Sequence, residues 1–218
     1  MDIRMCSKPG MPAKKAQKDT KPGSAEYTYS QVESALGRVF EAGAAGQAGW
    51  LRGRIQHLRR LGLTPPAAGG SVIYDFEWAT RWLLALRLER VGPDPADIVA
   101  FFEENWDRKA GAKYPITSLR EAIEKARAPI EKARNAKVDY HTDDVWLIVT
   151  FQNFNEFPKI GLVQPYRKLP SNQQLDNAKG FFDYSRDKVV DVVVIPLTEA
   201  LRALEAALRE ATEAKAVV

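Results

Sequence analysis

Apolar residues recur at helical spacing through the first half of the chain and in unbroken β-branched runs in the second. Between Ser30 and Glu41, the residues Val32, Ala35, Leu36, Val39 and Phe40 share one helical face. Ser30 is placed to cap that helix, with Glu33 three residues on. A second helix is predicted over 47–61, with Trp50, Leu51, Ile55, Leu58 and Leu61 as its apolar side. Gly62 ends it, and Pro65-Pro66 forbid continuation. Gly69-Gly70 and Ser71–Tyr74 predict the tip and return strand of a small hairpin. Helical spacing resumes from Asp75, a suitable N-cap, to Val91 before the Gly92-Pro93 stop. It returns over Pro95–Trp106. Helix, helix, hairpin, helix, helix predicts a winged helix-turn-helix unit.

The rest of the chain differs in period. Ile116, Leu119, Ile123, Ala126, Ile130 and Ala133 form a short heptad-like seam, with Pro129 expected to kink or interrupt it. Two readings of the seam stay open: a helix lying on its own domain, or a pairing helix between protomers. Val145–Phe151 and Val189–Ile195 are apolar runs of strand length, and a further strand is expected near Lys159–Val163. A last helix follows Pro196, with Thr198 as its N-cap and Leu197, Leu201, Leu204, Leu208 and Ala211 as its stripe. The expected fold class is mainly α with small β. The expected division is a disordered basic tail (1–25), a winged helix-turn-helix (26–107), a connecting or dimerisation helix (108–139) and a small α+β C-terminal module (140–218).

Charge sharpens this picture. The chain has a formal net charge of +4. Residues 1–25 carry six basic and two acidic side chains, which is all of it; the remaining 26 basic and 26 acidic residues cancel. Local patches therefore matter more than the bulk value. The patch that stands out is the second helix, where Arg52, Arg54, Arg59 and Arg60 occur with no acid among them. Residues four, seven and eight apart share a helical face, so Arg52, Gln56, Arg59 and Arg60 are expected to project together, flanked by Arg54 and His57. Arginine pairs with guanine edges, glutamine with adenine edges, and either binds phosphate. The bland alternative is a solvated face of surface arginines.

Three segments, YTYSQVESALG (Tyr27–Gly37), WLRGRIQHLRRLGL (Trp50–Leu63) and SVIYDFEWATRWLLALRLERVGPDPADI (Ser71–Ile98), resemble the DNA-binding domain of the MerR family of transcription regulators. Leu51-Arg52, Gly62-Leu63, Tyr74 and Gly92 carry the resemblance. It implies that the second helix enters the major groove, with Arg52 at the groove-entering position, and that a wing with Gly69-Gly70 at its tip touches backbone. It also implies a homodimer on two-fold-related half-sites, with the 116–133 seam in the place of the family's dimer helix.

Other chemistry finds little material. One cysteine, Cys6, and two histidines, His57 and His141, give no clustered metal-ligand set. His141 among Asp139, Asp143 and Asp144 reads more plainly as a polar loop ahead of a strand than as a base or metal site. No phosphate-cradling glycine motif and no nucleophile elbow is present, so no enzyme activity and no cofactor are expected. Trp78, Trp82, Phe101, Phe102 and Trp106 are expected in a core. Phe151, Phe154, Phe157, Tyr166, Phe181, Phe182 and Tyr184 leave open a core, a docking face or a pocket. The longest apolar run is far below the ~18 residues of a membrane span, and the first residues lack the apolar stretch of a secretory signal. A cytoplasmic location is expected.

The expected function is sequence-specific recognition of double-stranded DNA by a dimeric transcription regulator. A small-molecule or protein effector is left room at the C-terminal module. The alternative is a protein-interaction adaptor on the same scaffold, favoured by the absence of Arg and Lys from the expected wing (64–73) and by the balanced charge of 26–218.

Overall fold

A computed structural model describes residues 25–41, 47–65, 67, 72–107, 118–136, 145–154, 157–167 and 190–216. Among these the fold is mainly α with a small sheet. The helices are α1 (Tyr29–Val39), α2 (Gln47–Arg60), α3 (Phe76–Glu89), α4 (Pro95–Asn105), α5 (Leu119–Ala136) and α6 (Leu197–Ala216). The strands are β1 (Val145–Phe154), β2 (Phe157–Arg167) and β3 (Val190–Pro196).

The caps explain where the helices begin. α1 is capped by Thr28, not Ser30. Thr28 is extended, its hydroxyl accepts from the Gln31 backbone N–H, and Gln31 Oε1 accepts from the Thr28 N–H at 2.8 Å. This reciprocal box fills the role expected of Ser30 and Glu33 and leaves Glu33 free to act elsewhere. Asp75 caps α3 through the Trp78 N–H at 2.8 Å. Asp94 caps α4 with Pro95 behind it, where a missing N–H does no harm.

α2 ends in a Schellman turn. Leu63 N–H donates to Leu58 C=O (3.0 Å) and Gly62 N–H to Arg59 C=O (3.1 Å). Gly62 sits at φ +112°, a backbone region that side chains with a Cβ rarely occupy. Leu58 and Leu63, one on each side of the turn, are both buried. The chain then reaches Tyr74, which pairs with Tyr27 in one isolated antiparallel bridge. The expected return strand over 71–74 is thus reduced, among the described residues, to that bridge; Gly69 and Gly70 lie outside them.

α5 is not interrupted at Pro129. Leu119, Ala122, Ile123, Ala126 and Ile130 are buried in the chain's own core, chiefly against α6. That apolar packing holds the turn despite the lost hydrogen bond. Among the described residues the seam is covered within the chain. Ile116 and the side chain of Ala133 lie outside the described residues.

The sheet has the order β2-β1-β3, antiparallel throughout. β1 is central, and Leu147, Ile148 and Val149 are buried in succession, as expected of a strand covered on both faces. β2 is longer than the stretch near 159–163 that its composition suggests. Pro158 and Pro165 are tolerated because β2 is an edge strand. Thr198 does not cap α6, which already starts at Leu197; its buried hydroxyl instead accepts from the Val145 N–H at 2.8 Å and ties α6 to β1.

α6 makes its broadest helix contact with α1, at the other end of the sequence. Leu197, Leu201, Leu204 and Leu208 are fully buried, and Arg38 pairs with Glu210 along the same interface. One buried cluster runs from Val32 through α2–α5 to Leu208, across the boundaries expected at 107 and 139. Trp82, Phe101, Phe102 and Trp106 belong to it, while Trp78 packs against its edge.

Candidate nucleic-acid interface

The four arginines of α2 meet four different environments. Leu51, Ile55 and Leu58 are buried and fix the helix against its neighbours. Trp50 does not join them: it is 39% exposed, and the guanidinium groups of Arg54 and Arg90 lie over its ring, each 5.9 Å from the centroid. A cation over an indole face is attracted by the ring quadrupole, so Trp50 serves as a platform at the surface.

Arg52 turns toward α1. Its Nε donates to Glu33 Oε1 at 2.7 Å, and that hydrogen bond, followed by the carboxylate's charge, holds the Arg52 pKa above its ordinary value. Arg52 remains 63% exposed, so the pair sits at the surface. Arg54 turns toward α3, its Nη1 donating to Glu89 Oε1 at 2.6 Å. Glu89 is only 6% exposed, and its second oxygen is buried without a partner. Arg54 is therefore the counter-charge of a nearly buried carboxylate.

The far end of the helix is arranged differently. Gln56, Arg59, Arg60 and Thr64 line one open depression of about 510 Å³. Gln56 and Arg60 are exposed, and Arg59 and Thr64 are half-buried. No carboxylate lines it among the described residues. His57 is half-buried on the same helix and is not part of the lining.

Arg59 is held by aromatic packing. Tyr29, Tyr74 and Trp82 form a trio with centroids 4.9–6.2 Å apart in tilted and edge-on geometry. Trp82 is fully buried and donates its indole N–H to the Leu63 carbonyl at 3.0 Å, which pins the chain just past the Schellman turn. Tyr29 carries the Arg59 guanidinium over its ring at 5.2 Å. The Arg59 Nε and the Tyr29 hydroxyl are both buried without a hydrogen-bond partner. Burial raises the pKa of Tyr29 and of Tyr74 above 10.0, with the Arg59 charge opposing it at both.

The expected cluster of Arg52, Gln56, Arg59 and Arg60 is thus divided. Gln56, Arg59 and Arg60 come together, whereas Arg52 and Arg54 are engaged by acids on other helices. Thr64 and Tyr29 were not legible as participants: Thr64 follows the helix stop, and nothing in the spacing links Tyr29 to Arg59. Gly69, Gly70, Cys6, residues 139–144 with His141, and Phe181, Phe182 and Tyr184 lie outside the described residues, as do the side chains of Phe151, Phe154, Phe157 and Tyr166.

Among the described residues no group of three or more His, Cys, Asp or Glu is placed to hold a metal ion. No described helix is long and apolar enough to cross a membrane. No protein-family model, curated protein or solved structure matches the chain.

Proposed function

We propose that this protein is a sequence-specific double-stranded DNA-binding regulator that lays the exposed flank of α2 along the major groove. One observation carries the reading. Gln56, Arg59 and Arg60 converge on an open depression, with no carboxylate lining it among the described residues, at the surface end of a helix whose other side is anchored in the core. A duplex is an extended polyanion, and arginine and glutamine are side chains that can read base edges or bind phosphate. The short resemblance to MerR regulators supports the same placement of α2. A cytoplasmic location and a homodimer belong to this reading.

Selection of bound DNA from a genomic pool tests it, run with the full chain and again without residues 1–25. The expected result is one recurring sequence in both selections. Recovery of DNA with no common sequence, or only when the tail is present, rejects specific recognition by α2.

A second reading has its own support. Glu33 and Glu89 neutralise Arg52 and Arg54, so the cationic area is smaller than the sequence suggests. A protein-interaction adaptor needs no larger one. It predicts capture of one stoichiometric protein partner and no salt-dependent retention on DNA.

A further inference from the structure

We infer that the depression at the end of α2 is a seat for a single phosphoryl group, supplied either by a DNA backbone or by a small phosphorylated ligand. The first source rests on the DNA-binding reading above; the seat itself does not.

The lining supplies donors of the right kind. Gln56 offers an amide, Thr64 a hydroxyl, and Arg59 and Arg60 two planar guanidinium forks that match phosphate oxygens in pairs. Two positive charges and, among the described residues, no lining carboxylate favour an anion over a cation or a neutral ligand.

Arg59 decides between backbone and base. A base-reading side chain must extend away from its helix into the groove. Arg59 instead lies back across Tyr29, half-buried, with its Nε already out of solvent. An arginine held in that way loses little side-chain entropy on binding, and Arg59 still lines the open depression, where a backbone phosphate would pass.

The helix polarity is a cost. The C-terminal end of a helix carries partial negative charge and disfavours an anion. Here the carbonyls of Leu58 and Arg59 accept hydrogen bonds from Leu63 and Gly62, which removes two exposed acceptors from that end. The two arginines of the last turn supply full charges against the remaining partial one.

The test uses the full chain and two probes: inorganic phosphate, and duplex DNA from the selection above. Inorganic phosphate should raise the melting temperature more than chloride at equal ionic strength. Arg60→Ala and Arg59→Lys should each lose that excess, the second because it keeps the charge and removes the fork. With the duplex, Arg60→Ala should flatten the log–log salt dependence by about 0.9, the contribution of one phosphate. A phosphate-specific shift lost in both variants, without DNA retention, keeps the seat and rejects the DNA reading. Specific DNA binding with an unchanged salt slope in Arg60→Ala, and no phosphate-specific shift, overturns the seat and keeps the DNA reading. No phosphate-specific shift and no DNA binding overturns both.

Discussion

The middle and the C-terminal end of α2 carry the same kind of side chain and put it to different uses. Midway along the helix, Arg52 and Arg54 bridge to Glu33 of α1 and Glu89 of α3. At the C-terminal end, Arg59 rests on a tyrosine and Arg60 meets no acid among the described residues. The middle fastens the helix to its neighbours, and the end presents charge outward. A count of arginines along a helix therefore overstates its binding surface whenever acids on adjacent helices face some of them. What separates the middle from the end is the position of α1 and α3, whose carboxylates pair with Arg52 and Arg54 and, among the described residues, with neither Arg59 nor Arg60.

The largest expected effect comes from removing what supports the outward end. Trp82→Ala deletes a fully buried indole, the partner of the Leu63 carbonyl and one wall of the trio beneath Arg59. A loss of about 3–5 kcal/mol is expected, as for other buried aromatic truncations. Chemical denaturation measures it. An unchanged midpoint would mean that the Schellman turn and Arg59 are held by something other than this aromatic packing.

A smaller loss should follow from Arg54→Ala. Removing Arg54 leaves Glu89 nearly buried with neither oxygen bonded, at a cost of about 1–3 kcal/mol. Arg60→Ala, on an exposed side chain with no described partner, should stay within about 0.5 kcal/mol. The double variant Arg54→Ala/Glu89→Gln should recover part of the Arg54→Ala loss, because the stranded charge is gone. Equal destabilisation by Arg54→Ala and Arg60→Ala would erase the distinction between fastening and presenting arginines.

The helical framework was legible because its signals are local. Asp75 before an apolar period, Gly62 after one, and the leucine stripe of α6 each specify structure within a few residues. The caps at Ser30 and Thr198 were misplaced because a competing partner took the position: Gln31 completes a box with Thr28, and Val145 claims the Thr198 hydroxyl. The seam of α5 was ambiguous because periodicity reveals an apolar face and not what covers it. Here α6 does, from about seventy residues away in sequence. The candidate site was half legible for the same reason. Gln56, Arg59 and Arg60 follow from helical geometry, but the capture of Arg52 by Glu33 and of Arg59 by Tyr29 depends on how α1 lies beside α2.

Glu33→Gln gives the smallest and most discriminating change, because it should make the middle of α2 resemble its C-terminal end. Arg52 would lose its charged partner while staying exposed. If Arg52 then meets a backbone phosphate, the salt dependence of DNA binding should steepen by about 0.9 in log–log terms. A second readout needs no DNA. Tyr29 has its pKa raised first by burial and next by the Glu33 charge, with Arg59 and Arg52 opposing. Tyr74 is raised by burial and opposed by Arg59, with no contribution from Glu33. In both cases the folded state keeps its phenolic proton to higher pH than the unfolded chain does. Their contribution to stability is therefore complete below pH 10.0 and is lost as pH rises through the folded values. Glu33→Gln should lower the Tyr29 value toward 10.0, narrow that alkaline window for Tyr29, and leave Tyr74 where it is. Phenolate absorbance during alkaline titration, with Tyr29→Phe to assign the signal, separates the two. If both tyrosines moved together, or neither did, Glu33 would not be acting on this end of α2 through its charge, and the contrast between the middle and the end of the helix would lose its electrostatic basis.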